Sequence, residues 1–342
     1  STNPADLSDV VGEFQASTSA DAAAAIDAAH DVKESWRRTS SLARGGYLLK
    51  AASYLEANLE EFAQMVTREC GKAILEARGE IGRAVALLQY YGVEGSNPVG
   101  SVVPSVNPNI LLYTNRMPLG VVTLITPWNF PFAIPIWKMA PALVYGNTIV
   151  LKPASATPGV ATLIARMWEA VDLPAGVFNL ITGSGGTVGN ELITNDKVAA
   201  ISFTGSTRIG MNIASESAKR GKRYQLEMGG KNPVIVLPDA DLEQAAEITV
   251  SGAMKYSGQK CTATSRAIVV GNVMEEFTNL VVEKTNALKI GAGADPESII
   301  VPVIDQASKD NIASMIARGV ADGGSILAGG GVPTGVGLDK GT

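Results

Sequence analysis

Between Gly120 and Lys219 short apolar runs alternate with longer runs of helical spacing, and nothing else in the chain constrains its fold as strongly. Gly120–Thr126, Thr148–Leu151, Val177–Ile181 and Ala200–Phe203 have the length and β-branched content of strands. Phe132–Tyr145, Gly159–Val171, Val188–Thr194 and Ile209–Lys219 have the length and spacing of helices. Strands separated by helices of this size form βαβ units, so a parallel sheet flanked by helices is expected. Such sheets bind ligands at the carboxyl ends of their strands. A second α/β stretch follows Gly229, with strand candidates Pro233–Leu237 and Ala267–Val270 and helix candidates Leu242–Tyr256 and Met274–Lys289.

The first hundred residues read as helices. Ser19–Arg38 is Ala-rich, with Ser19 as N-cap and Asp21 in the first turn. Ser40–Glu61 follows, then stretches from about Leu59 to Lys72 and, past a break at Gly71, from about Lys72 to Tyr91. Gly100–Val106 and Asn109–Arg116 read as two strands turning at Asn107, Pro108 and Asn109. No closing helix or strand is expected in the Gly-rich stretch that ends at Gly341-Thr342.

Composition narrows the function. With 342 residues, 46% of them apolar, the chain can bury the cores of two domains. A net charge of −5 without a basic stripe argues against nucleic acid as a partner. No apolar run is long enough to span a bilayer. Ser1–Gly12 has neither the basic nor the apolar region of a secretory signal, so the expected compartment is the cytoplasm. Cys70 and Cys261 lie far apart and do not suggest a disulfide framework. With His30 as the one histidine, a Cys–His dyad or a multi-histidine zinc site is hard to build, and no metal is expected.

Four segments carry candidate chemistry, each where a strand gives way to a turn. Pro127-Trp128-Asn129-Phe130-Pro131 holds an amide between two prolines, either as an oxyanion donor or simply as a helix cap. Lys152-Pro153-Ala154-Ser155 puts a cation and a hydroxyl at a strand end. Phe203-Thr204-Gly205-Ser206 and Gly183-Ser184-Gly185-Gly186-Thr187-Val188-Gly189 are glycine turns that open helices, where backbone N–H groups attract phosphate. Neither has the G-x-G-x-x-G spacing. The fourth is a pair, Leu226-Glu227-Met228-Gly229-Gly230-Lys231 and Gly258-Gln259-Lys260-Cys261. Glu227 is a general base if burial raises its pKa, and Lys260 favours the Cys261 thiolate. Alone, Cys261 reads first as a small buried hydrophobe. Cys70 reads as structural.

Taken together and in order, PWNFP, KPAS, FTGSTRIG, LEMGGKNP and GQKC resemble the aldehyde dehydrogenase superfamily along the whole chain. The resemblance implies an α/β fold: a Rossmann-type cofactor domain over 1–99 and 120–229, an oligomerisation hairpin over 100–119, and a second α/β catalytic domain over 230–342. It also implies that family members extend beyond the position of Thr342. By resemblance Cys261 is the nucleophile, Glu227 the base, Asn129 the oxyanion donor, and Lys138 a lysine near the base. Thr126, Pro127, Trp128, Lys152, Pro153, Ala154, Ser155, Gly185, Gly189, Phe203, Gly205, Ser206 and Met228 are the cofactor-binding candidates. Many NAD-preferring members have Glu where this chain has Ser155, so NADP is expected to be accepted, with NAD an alternative. The implied partners are a small aldehyde and a second copy of the chain. Lys255, Tyr256 and Lys260 around Cys261 suggest a semialdehyde with a distal carboxylate, as does GQKCTATSR. A CoA-acylating member and a non-catalytic binding or structural member are the alternatives, and the presence of Glu227 argues against the first.

Overall fold

The computed structural model describes residues 1–342. In chain order the elements are β1 (Thr2–Asn3), β2 (Asp6–Val10), α1 (Ser19–Arg38), α2 (Ser41–Ala57), α3 (Leu59–Cys70), α4 (Ile74–Glu94), β3 (Val102–Val103) and β4 (Leu112–Tyr113). Then come β5 (Val121–Ile125), α5 (Ala133–Val144), β6 (Thr148–Lys152), α6 (Pro158–Ala170), β7 (Phe178–Leu180), α7 (Gly185–Thr194), β8 (Val198–Thr204), α8 (Thr207–Lys219) and β9 (Arg223–Glu227). The chain continues with β10 (Asn232–Val236), α9 (Leu242–Met254), a 3-10 turn (Lys255–Gly258), β11 (Thr264–Val269), α10 (Met274–Asn286) and α11 (Gln306–Ala321). No helix is long and apolar enough to cross a membrane.

The chain divides into two compact units. The sheet unit is Phe14–Phe62 with Glu80–Glu227; the cysteine unit is Ser1–Glu13, Ala63–Gly79 and Met228–Thr342. The sequence suggested a division at 230 with all of 1–99 on the sheet side. In the structure 1–13 and 63–79 group instead with the later residues, and the hairpin 100–119 groups with the sheet unit. Composition along α3 and α4 carries no mark of such a change, because it is set by long-range contacts.

The sheet unit holds five parallel strands in the order β7-β6-β5-β8-β9. The order reverses between β5 and β8. Right-handed crossovers therefore send α5 and α6 to one face and α7 and α8 to the other. Packing agrees: α2 lies against α5 and α6, while α1 lies against α7. Covered on both sides, β5 and β6 are buried almost throughout, as their continuous apolar runs demand. Their polar members are bonded, with Thr123 Oγ1 donating to the Leu192 carbonyl and Thr148 Oγ1 to that of Ala29.

Local signals set most boundaries. The cap of α1 is Thr18 rather than Ser19: its hydroxyl accepts from Asp21 N–H while Asp21 Oδ2 accepts from Thr18 N–H, a reciprocal box. The expected helix Ser40–Glu61 stops at Asn58, and α3 begins at once. The hairpin strands are shorter than expected, two residues each, although Thr114 and Arg116 also donate to the Ser101 and Val99 carbonyls. Val102, Leu111 and Tyr113 there are exposed, and a lone two-stranded ribbon has no face to bury them.

In the cysteine unit β10 and β11 pair in parallel, joined through α9. Val236, Ala246 and Phe277 form the core between this pair, α9 and α10. Helix α11 was not foreseen. Its signals were present: Asp305 as N-cap, accepting from Ser308 N–H at 2.7 Å, and Ile312, Met315 and Ile316 at helical spacing. It buries no residue, so the apolar periodicity is weak.

Candidate active site

Each strand of the five-stranded sheet delivers one chemical segment at its carboxyl end. After β5 comes the turn Thr126–Pro131, with Trp128 and Asn129 half-buried. Thr126 Oγ1 is buried there without a hydrogen-bond partner. Asn129 does not cap the following helix. The amides of Phe132 and Ala133 both donate to Glu80 Oε1, at 2.9 Å each. Glu80 is 4% exposed, and it satisfies two orphan donors of α5 while setting a negative charge at the helix's positive end. Sequence reasoning passed over Glu80, because its role depends on α4 lying across the start of α5.

Strand β6 ends at Lys152, which is buried and donates from Nζ to the Pro153 carbonyl at 2.8 Å. Burial pushes its pKa down. Ser155 is exposed and donates to the Gly183 carbonyl at 3.1 Å, tying this turn to the one after β7. There Ser184 caps α7 by accepting from Thr187 N–H. Gly185 is the first helical residue and exposed, whereas Gly189 is buried inside α7.

At the end of β8 the Phe203 ring is buried and lies 2.6 Å from where a Cβ on Gly205 would sit, so only glycine fits. The Gly205 amide donates to the Glu227 carbonyl at 3.0 Å and extends the ladder. That N–H therefore serves the sheet, and phosphate binding at α8 falls to the amides of its first turn, whose cap is the exposed Ser206.

Two helix N-termini, a buried hydroxyl lacking a partner, and Lys152 with Ser155 share one carboxyl edge at the point where strand order reverses. The helix starts could hold the phosphates of a dinucleotide, and Lys152 with Ser155 could bond its hydroxyls.

Glu227 ends β9. It is exposed rather than buried, so burial is not what would make it a base. Its Oε1 accepts from Gln225 Nε2 at 2.9 Å. Gln225 Oε1 in turn accepts from Ser202 Oγ at 2.6 Å and from Lys138 Nζ at 3.2 Å. Lys138 also donates to Ser202 Oγ at 2.9 Å and to the Phe203 carbonyl at 3.2 Å. Burial lowers its pKa to about 8, against the opposing pull of Glu227. The sequence placed Lys138 near the base; Ser202 and Gln225, which join the two, were missed.

In the cysteine unit Cys261 is exposed, just past the 3-10 turn. Tyr256, Ser257 and Gly258 are three successive left-handed residues, with φ of 56°, 53° and 73°. Two of them carry side chains that disfavour this region, and surrounding contacts hold them there. Tyr256 is fully buried, donates to the Cys70 carbonyl at 3.2 Å, and lies under Lys72 Nζ, 4.6 Å from the ring centroid. Ser257 Oγ donates to the Val301 carbonyl and accepts from its amide. Beyond the turn, Asn232 Nδ2 donates to the carbonyls of Cys261 at 2.8 Å and Ala263 at 3.0 Å.

Around Cys261 the structure differs from the sequence expectation at Lys260 and Tyr256. Lys260 Nζ is 2.8 Å from Glu76 Oε1, so its charge is matched by a carboxylate and not available to the thiol alone. Tyr256 is interior, so it cannot face a substrate; of the three neighbours only Lys255 is exposed. Cys70 is buried, its Sγ donating to the Val66 carbonyl, in keeping with a structural role.

Over residues 1–342 the chain matches the aldehyde dehydrogenase family. It belongs to that family. It is 48% identical over 328 residues to an α-ketoglutaric semialdehyde dehydrogenase of Bacillus subtilis, covering 96% of this chain and 67% of the relative. A second relative, an α-ketoglutarate semialdehyde dehydrogenase of Haloferax volcanii, is 42% identical over 99% of this chain and 70% of its own length. Among solved structures, a betaine aldehyde dehydrogenase of Staphylococcus aureus in complex with NAD+ superposes with a TM-score of 0.97, at 31% identity, covering 99% of this chain and 68% of that one. The chain is thus an aldehyde dehydrogenase in family and in fold, and its chemistry is the oxidation of an aldehyde with a nicotinamide cofactor.

Proposed function

We propose that this aldehyde dehydrogenase oxidises a dicarboxylic semialdehyde of the α-ketoglutaric or succinic type, and that it accepts NADP as well as NAD. The substrate reading rests on the names of its relatives. The cofactor reading rests on Ser155, an exposed hydroxyl beside the buried Lys152 with no carboxylate to repel a 2′-phosphate.

The roles are those that the family resemblance implies for these side chains. Cys261, the exposed thiol at the end of a strained turn, carries the reading: its thiolate attacks the aldehyde carbon and forms a thiohemiacetal. Asn129 and the Cys261 amide stabilise the oxyanion. The bound nicotinamide supplies the acceptor for the hydride that leaves the substrate carbon, so a thioester remains on Cys261. Glu227 takes a proton from water, the resulting hydroxide attacks the thioester, and the acid and the Cys261 thiolate are released. Thr126, Pro127, Trp128, Pro153, Ala154, Phe203 and Met228 would line the cofactor, Lys152 and Ser155 would hold a ribose, and the starts of α7 and α8, at Gly185 and Ser206, would take its phosphates.

We assign the enzyme to the cytoplasm, where the two cysteines, which do not bridge one another, stay reduced. Assembly as a homodimer or homotetramer through residues 100–119 gives the exposed Val102, Leu111 and Tyr113 a surface to cover. The decisive measurement is kcat/KM for semialdehydes and for neutral aldehydes of equal chain length, with both cofactors. The semialdehyde should lead by about tenfold or more, the scale of one added charge contact. A lead for the neutral aldehydes, or a strong preference for NAD, would overturn the respective half of the proposal.

A further inference from the structure

Glu227 does not stand alone at the end of β9. Residues 225 and 227 lie on one face of the strand, since side chains alternate. Across the ladder Ser202 is the register partner of Gln225, and Thr204 that of Glu227. Lys138 reaches the same face from α5.

The hydrogen bonds of this cluster fix one another. A lysine ammonium has three donors and no acceptor. Those of Lys138 are taken by Ser202 Oγ, the Phe203 carbonyl and Gln225 Oε1. Lys138 therefore acts on Glu227 through Gln225 and not by direct contact. The atom of Gln225 that faces Lys138 has to be the oxygen, because an amide nitrogen would set donor against donor. Ser202 Oγ, donating to the same oxygen at 2.6 Å, adds a second lock. The amide is then oriented by its partners, and Nε2 points to Glu227 Oε1 at 2.9 Å. A cation on the amide oxygen also polarises the amide N–H toward the carboxylate.

We propose that Gln225 is a positioning residue for the hydrolytic half-reaction: its amide, locked by Lys138 and Ser202, holds one carboxylate oxygen of Glu227 and leaves the other to take the proton from water. The inference rests on Glu227 being the base. Donation from Gln225 fixes the carboxylate by one oxygen and so sets the direction in which the other faces. The nucleophilic attack and hydride loss at Cys261 do not require Glu227 to be ionised, so Gln225 bears on one half-reaction only.

Rapid-quench kinetics of Q225L, E227Q and S202A separate the two halves. The leucine side chain cannot hydrogen-bond, and Gln225 is exposed, so Q225L should fold; circular dichroism and nicotinamide binding verify this. In Q225L the burst of reduced nicotinamide should keep its rate and size. Release of acid should slow about tenfold, the scale of one hydrogen bond to a charged group. The ratio of burst rate to release rate should rise accordingly, which a merely structural role would not produce. S202A, which leaves Lys138 as the remaining lock, should move in the same direction by less. Equal slowing of burst and release in folded Q225L, or a wild-type profile, overturns the inference. If E227Q stalls at the thioester while Q225L behaves as wild type, Glu227 stands as the base and the role of Gln225 falls. If E227Q releases acid at the wild-type rate, the base assignment fails and takes the inference with it.

Discussion

The two units present their chemistry by opposite means. In the sheet unit β5 and β6 are buried on both faces, and every functional segment sits where regular structure ends, with Gly183 as the one residue of those segments at positive φ. In the cysteine unit the pair β10 and β11 is covered on one face only: Val234 and Val236 pack inward while Ile235 is 64% and Ile268 50% exposed. Its exposed cysteine, Cys261, follows a turn with two non-glycine residues in the left-handed region. A binding edge for a long cofactor needs many modest contacts in register, which a parallel sheet supplies as a consequence of its topology. A single reacting atom needs one position held firmly, and strain held in place by buried contacts supplies that.

The largest effect belongs to Cys261. C261A should lower aldehyde oxidation by about four orders of magnitude or more, read from nicotinamide absorbance, because no second nucleophile replaces it. Cofactor binding, which the sheet edge provides, should survive, and its loss in C261A would show that the two tasks are not divided in this way.

On the sheet side, E80A should cost about 2–3 kcal/mol in chemical denaturation, since it strips the acceptor from the buried amides of Phe132 and Ala133. A loss under half a kcal/mol would mean that the turn bearing Asn129 holds itself.

Lys138 gives a test in pH. Its folded pKa is about 8 against an ordinary 10.5, lowered by burial. Below about 8 the group is charged whether folded or not, and the folded state bears the cost of desolvating it. As pH rises from about 8 towards 10.5 the folded protein loses this proton before the unfolded chain does, so the cost is relieved and stability from this group rises. Catalysis should go the other way, because the charged donor to Gln225 disappears. Acid release should therefore decline above about pH 8 in the wild type, and K138M should lack that decline.

The smallest effect is expected from Y256F, which removes the hydroxyl that donates to the Cys70 carbonyl yet keeps the ring under Lys72. About 1 kcal/mol of stability should be lost. The rate of Cys261 alkylation should change with it if the strained turn governs the thiol, and an unchanged rate would separate the turn from the nucleophile.

Much of this was legible in neighbouring residues. The alternation after Gly120 foretold the parallel sheet, and α1 has the limits Ser19–Arg38 that its composition suggests. The glycine turns were readable because helix starts and close approaches have a fixed local chemistry. Even there the cap shifted from Ser19 to Thr18, since two adjacent hydroxyls are equivalent until a backbone angle chooses between them.

What tertiary structure decided is who faces whom. Lys260, next to Cys261 in the chain, spends its charge on Glu76. Tyr256, five residues before Cys261, turns into the core. Glu80, distant in sequence, caps the helix after Asn129, and the register of β8 against β9 sets Ser202 beside Gln225. Period and turn chemistry are properties of consecutive residues and so belong to the sequence. A hydrogen-bond partner is a property of two surfaces brought together, and the order of strands and the packing of helices select it.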